Sequence, residues 1–517
     1  MITNKQQLIF LCVSLLFLLI TPKAQSQDAG QPEIRKKNRI IFPRGVSVNV
    51  GQVGWMEGSS LEDIDGPWRA GIKRNFDVRD YKPIVEVGEK MGVRFMTLFI
   101  LGEFDRLNIL SEYPTSNPAG KKWDNSEYIG SVQLEIMDYV KKNAAHMEFG
   151  LTGVLHEYWE EGIKSRAEWF NVAEQKPRDE KIIRNNIRLI KNLMAQYGIT
   201  PEKGHTFPES FISYGFYFNP GADYSLGKVL SENGVKYANT PFATISGLNH
   251  PPLLSGGFDN GVLLLDRANH GNLWYEYATL PKLGPDSIKT VVVESHWANW
   301  LAFDDHLQPA LNNRWIDYLR SIQAHPDHYL SKNTEQLYSQ WLYKKHTTVS
   351  EVSPGKVLIN NQSMPQDAYD YNLLGNMVLA VKLEDGEHIS QASIDSKPIA
   401  AYYETEGFGY IYLPPLEKKN YQFEYRVGNK KMDRFVNNTG TYNVYNVIEK
   451  NTLLEVDVKM YGEQIIEIYS SKPSSVTSSN ENLEIKSFSY DSSKGIISLL
   501  VKGRNIQGER ALLLLNY

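Results

Sequence analysis

The segment Leu151-Thr-Gly-Val-Leu-His-Glu-Tyr-Trp159 sets a histidine, His156, at the end of an apolar run, with Glu157, Tyr158 and Trp159 directly after it. A strand-end imidazole can act as general base, general acid or metal ligand. Metal binding needs further donors, and the position four residues earlier, where a second imidazole would complete the pair, is Thr152. A second histidine, His296, closes the run Val291-Val-Val-Glu-Ser-His and is followed by Trp297-Ala-Asn-Trp300. One such histidine alone is more often structural than catalytic. Glu209, directly after Pro208, is a candidate acid that reads equally well as a solvated carboxylate. Arg267-Ala-Asn-His270 with Trp274-Tyr275 makes a polar and aromatic cluster whose plain reading is a surface loop. Trp159 and Trp297 are candidate platforms for sugar rings, and as individual tryptophans they serve a core equally well.

The elements that must position these groups alternate. Apolar runs at Ile41–Val50, Val93–Leu101, Glu148–Leu155, Val235–Ala238, Val262–Asp266 and Lys289–Ser295 read as strands. Between them, Tyr81–Met91, Tyr128–Asn143, Asp179–Tyr197, Ser225–Asn233 and Leu307–Ala324 carry helical apolar spacing. Gly198 and Pro201 stop the third of these. The alternation over residues 40–345 predicts a parallel (β/α) barrel, whose reactive side chains stand at strand C-terminal ends. From residue 350 to 517 the texture becomes short alternating runs, including Met377–Lys382, Gly409–Leu413, Tyr421–Tyr425, Leu454–Val458, Ile465–Ile468, Ile496–Val501 and Ala511–Leu515. These predict a β-rich region of one or two sandwiches, with the Ser-rich stretch Ser471–Asn480 as a loop.

Composition bounds the function. Lys5, the apolar run Leu8–Ile20 and the polar stretch Thr21–Gln27 have the order of a secretory signal peptide, residues 1–26, and imply export to the periplasm. The one cysteine, Cys12, lies inside that apolar run, so the mature chain has no disulfide, thiolate nucleophile or cysteine-ligated zinc. A net charge of -5 over 517 residues, without a basic stripe, argues against nucleic acid as a partner. No stable membrane insertion is expected after signal cleavage. Thirty tyrosines, 20 phenylalanines and 10 tryptophans suit a core or a sugar-binding surface.

The order and spacing of these segments resemble the polysaccharide deacetylase (NodB-like) barrel over roughly 300 residues. Val46-Ser-Val-Asn-Val50 falls on its first strand and Phe95-Met-Thr-Leu-Phe-Ile100 on its second. Thr152 and His156 fall on its two-histidine motif, Thr206-Phe-Pro208 on its arginine segment, and Val291–His296 on the last strand, with its general-acid histidine. The departures are coordinated. Asn49 stands where the carboxylates belong, Thr152 replaces a histidine, and Thr206 replaces the arginine. With His156 and His296 both aligned to functional positions, the resemblance implies a cleft that kept its acid-base histidines and gave up its metal. In signal peptide, altered barrel and β-rich tail the chain resembles the deacetylase-like ulvan oligosaccharide dehydratases of marine Bacteroidetes.

The implied reaction is dehydration of a terminal uronic acid to a 4,5-unsaturated sugar, with an oligosaccharide as substrate partner and no cofactor or metal. Elimination needs a base, a proton donor and groups that stabilise the carboxylate. His156, His296 and Tyr158 suit the proton work. Asn49, Glu209, Arg267, Trp159 and Trp297 are the candidate substrate-binding residues. Two alternatives stay open: a metal-dependent deacetylase whose displaced ligands include Glu157 or Glu209, and a non-catalytic glycan-binding protein.

Overall fold

From Gly45 to its end, the strand Arg44–Val53 (β1) buries every residue, as a strand covered on both faces must. It is the first of seven parallel strands in a computed structural model. The structure describes residues 39–54, 76–126, 130–161, 163–165, 167–213, 215, 217–218, 225–241, 257–274, 276–405 and 407–517. The predicted signal peptide lies outside the described residues.

The remaining six strands are Met96–Ile100 (β2), Gly150–Gly153 (β3), Ser210–Phe211 (β4), Tyr237–Thr240 (β5), Val262–Ala268 (β6) and Val292–His296 (β7). Each pairs with the next in parallel, β7 returns to β1, and the seven close into a barrel. Helices Lys82–Met91 (α1), Ser131–Lys142 (α2), Glu180–Ala195 (α3), Leu226–Glu232 (α4) and Gln308–Gln323 (α5) occupy the connections and the return path. Pro83 near the start of α1 and the left-handed Gly92 after its end mark its limits, as helix chemistry requires.

Strand alternation sorts the barrel. Val46, Val48, Val50 and Val293 pack outward with Ile84, Ile187, Ile190 and Trp315 of the helices. Met96, Leu98, Tyr237, Leu263, Leu265 and Val292 share a second core with Leu337 and Tyr338 of the helix Thr334–His346 (α6). Thus α6 forms the floor of the barrel. Its ring contact between Tyr338 and Tyr237 has a centroid separation of 4.4 Å. The sequence showed no apolar stripe here because Thr334 to Gln340 are all buried, whichever way they face.

Beyond α6 lie sheets of five, eight and four strands. The five-stranded sheet contains Lys356–Asn360, Asn420–Gly428 and His388–Ile394, and the four-stranded one Asn443–Lys450, Leu453–Met460 and Glu509–Asn516. Both pack on the eight-stranded sheet, whose alternating residues divide between them. Leu379 and Val381 join the core with Ile359 and Phe423, whereas Val378 and Ala380 join Val456 and Leu513. Within the stretch expected as a loop, Ser475–Ser478 is a strand paired with Glu509–Asn516. Its Val476 packs partly against the core beside polar neighbours, and the Ser-rich composition concealed that alternation.

Glu209 sits beneath the barrel, before β4, where Lys236 and Lys459 approach it at 2.8 and 3.3 Å. Lys459 also bonds Glu335 of α6 at 2.9 Å, which ties the β-rich region to the barrel floor. Burial opposes ionisation of Glu209, but the two lysines prevail and hold its carboxyl at about 2. The depressed folded value means that its stabilisation is present above about pH 4.5 and is lost as pH falls towards 2. Glu209→Gln should therefore melt at lower temperature than the parent at pH 7. That gap should close as melting is repeated towards pH 2.

Candidate functional site

Towards the C-terminal ends of the parallel barrel strands, Gln52 of β1 has φ 58° and His156, in the loop after β3, has φ 71°, both left-handed. Gln52 lies where the β1–β2 register shifts between Val50 and Val53. Such conformations cost free energy and persist where the surroundings impose them. At this end of the barrel, Gln52 Oε1, Thr152 Oγ1, His270 Nδ1 and His296 Nδ1 are buried without a hydrogen-bond partner among the described residues.

Inward-facing positions build the base of this site. On β7, Glu294 and His296 share the inner face, and on β1 their register partners are Asn49 and Gly51. The absence of a side chain at Gly51 matters, because a Cβ there would stand 3.3 Å from His296 Cδ2. Arg267, near the end of β6, is fully buried, and its Nε lies 3.5 Å from Glu294 Oε2. The Asn49 amide fits its neighbours when Oδ1 accepts from Arg267 Nη1 at 3.0 Å and Nδ2 donates to Val293 O at 3.1 Å. His296 is 4% exposed, with Nδ1 3.7 Å from Glu294 Oε1. Burial lowers its pKa to about 4 against the pull of Glu294, and the charges of Arg267 and His156 add to the lowering. It is therefore a neutral imidazole at neutral pH. Burial also lowers the pKa of His270.

His156 stands on the loop after β3, 3% exposed, with Nδ1 2.7 Å from Glu157 Oε1. The other carboxylate oxygen of Glu157 accepts from the Ala167 amide at 3.1 Å. A carboxylate fixed at both oxygens fixes the ring: with Nδ1–H donated to it, Nε2 carries the lone pair. His156 and His296 lie close enough for the charge of one to act on the other.

The structure therefore brings Asn49, His156, Arg267 and His296 to one end of the barrel. Tyr158 lies on the hairpin Tyr158–Glu160 with Ile163–Ser165, its ring 3.7 Å beneath the Arg178 guanidinium. Burial raises its phenol above the ordinary range. Trp159 packs into the barrel-helix core. Trp297, 0% exposed, meets Phe76 and Tyr81 at 4.8 and 4.9 Å and donates to Asp80 O, so it lacks a free face for a sugar. Trp297→Ala should cost about 3–5 kcal/mol of stability, measured by denaturant unfolding, without a selective loss of ligand affinity. The Tyr275 position of the expected polar-aromatic cluster lies outside the described residues.

Glu209 does not join the site, since it stands at the opposite end of β4. Thr206 is also remote and bonds Asn505 of the β-rich region at 3.1 Å. Sequence reading placed Glu294 near the site without its direction, and it missed Glu168. Period-two alternation supplies that direction, because Glu294 must face inward if His296 does. Glu168 carries no comparable signal.

Among the described residues, the donors at this end do not make up the metal centre of a deacetylase. Glu157 is already held by His156 and an amide, Glu209 is remote, and Thr152 supplies one unpaired hydroxyl. Among the described residues, no three His, Cys, Asp or Glu side chains are grouped to hold a metal ion. No protein-family model matches the chain, and no curated protein matches it at a significant level.

Proposed function

We propose that this chain is an exported, periplasmic carbohydrate-active lyase of the dehydratase kind, built on a deacetylase-like barrel. Its substrate would be an ulvan-type oligosaccharide ending in a uronic acid, converted to a 4,5-unsaturated sugar. The observation that supports this reading most is a pair of unlike histidines above one buried arginine: His156 oriented by Glu157, and His296 kept neutral. Groups in different environments can take different parts in proton transfer.

His156 Nε2 takes the proton at C5, beside the substrate carboxylate. His296, neutral, orients the hydroxyl at C4 through a hydrogen bond. Arg267, held by Asn49, supplies fixed positive charge beneath the pocket as negative charge grows on the carboxylate. The C5–H and C4–O bonds break and the C4–C5 double bond forms. The proton taken by His156 leaves with the hydroxyl as water. Elimination needs no activated water, so no step is assigned to a metal ion.

Incubation with uronate-terminated oligosaccharides tests the reading. The expected result is the loss of one water in the mass spectrum, together with the ultraviolet absorbance of a conjugated unsaturated uronate. Release of acetate, with stoichiometric transition metal in the active protein, would overturn it in favour of deacetylation. Binding without chemical change in any uronate substrate would overturn it in favour of glycan binding.

A further inference from the structure

The loop that presents His156 is gathered onto one buried carboxyl group that the proposed proton transfers do not use. Glu168 is 1% exposed, and its Oε2 and Oε1 accept from the Val154 amide at 2.8 and 3.1 Å. The amides of Leu155 and His156 also lie near enough to favour its ionised form. The Glu168 amide returns a bond of 3.0 Å to His156 O, so the residue grips the loop through both backbone and side chain. Asn186 of α3 donates to Oε1 at 3.4 Å and accepts from Ser116 at 3.2 Å, which anchors the clamp to a helix.

The approach is close. A Cβ on Gly153 would stand 2.5 Å from Glu168 Oε2, so only glycine lets the carboxyl reach the amides behind it. Gly153 also has φ 158°, at the edge of the range that side chains avoid. Downstream, Trp169 Nε1 donates to Thr152 O at 3.0 Å. Residues 152–157 and 167–169 thus form one interlocked unit, in which Glu157 and Glu168 each receive amides of the other segment.

We propose that Glu168 is the positioning residue for His156: by collecting the amides of the loop after β3, it imposes the left-handed backbone that aims the imidazole into the site. The assignment rests on the reading of His156 as the base. Without the clamp, His156 would relax from its φ of 71° towards commoner conformations and lose its register with Glu157. Burial raises the Glu168 carboxyl to about 8 against the pull of three amides, so near neutral pH it is a carboxylic acid that takes the amides through its carbonyl oxygen.

The test uses Glu168→Met, which keeps the length but removes both acceptor oxygens, and Glu168→Asp, which keeps the carboxyl but withdraws it. Imidazole nitrogen shifts of His156 are read by NMR in the full chain. The parent should show a single neutral tautomer with the proton on Nδ1, and both variants a mixture. On a dehydrated substrate, kcat should fall about 10–100-fold with KM little changed. If either folded variant keeps the single tautomer and the parental kcat, the assignment is overturned. Should Glu168→Met fail to fold, Glu168→Asp decides on the same readouts. The NMR result stands without any substrate: a protein with no dehydratase activity whose His156 tautomer still depends on Glu168 would refute the reaction and not the clamp.

Discussion

His156→Ala should lower kcat for dehydration by about 10²–10⁴-fold, the range that a positioned acid-base group contributes. Because the change also leaves the buried Glu157 without its ring partner, denaturant unfolding is read beside the rate. Glu157→Gln is the informative companion. It preserves shape and can still accept from one donor, but it no longer fixes which ring nitrogen carries the proton. A loss intermediate between the parent and His156→Ala is expected. If both variants kept the parental rate with a uronate substrate, His156 would have no part in the proton transfer. Steady-state rates from the appearance of the unsaturated product provide the measurement.

Arg267→Met should be the most damaging single change to the barrel interior. It removes the positive charge facing Glu294 and leaves a buried carboxylate without its partner, a loss of about 3–5 kcal/mol. Activity should fall as well, since the charge beneath the pocket is gone. Combining it with Glu294→Leu should restore much of the stability, because two apolar groups can replace a buried pair at little net cost. It should not restore turnover. Denaturant midpoints read beside rates separate the two roles: recovery of both would make the pair purely structural.

Particular residues show how much was legible in the sequence. Six of the barrel strands and five helices follow from apolar spacing: α3 is bounded by Asp179 before it and Gly198 after it, close to the expected limits. β4 was not legible, since two residues, Ser210–Phe211, carry no periodicity. Nor was α6, where burial on all sides erases the stripe that reveals a surface helix. The common position of His156, His296, Asn49 and Arg267 at one end of the barrel was legible because a parallel barrel gathers its strand C-terminal ends there. Trp297 shows the limit of residue type, because an indole after a strand end can turn either to the pocket or to the helices. Glu209 shows another: its distance from β4's reactive end is a matter of strand direction over two residues. Glu168 was hidden because its partners are backbone amides, which every sequence contains.

The short strand Ile40–Ile41 pairs antiparallel with Met377–Lys382, Ile40 opposite Val381 and Ile41 opposite Ala380. The first described strand is therefore an edge strand of the eight-stranded sheet, separated in sequence from its neighbour by the whole barrel. Closing so large a loop costs conformational entropy before any contact repays it. This pairing must form late, after the barrel has brought the start of β1 towards that sheet. Until then, the edge of Met377–Lys382 stays open, the arrangement that invites pairing with another chain. Removing residues 39–42 should spare the barrel's chemistry yet raise the concentration dependence of refolding losses. A few residues at the beginning of the described chain thus serve as a guard against aggregation at its far end.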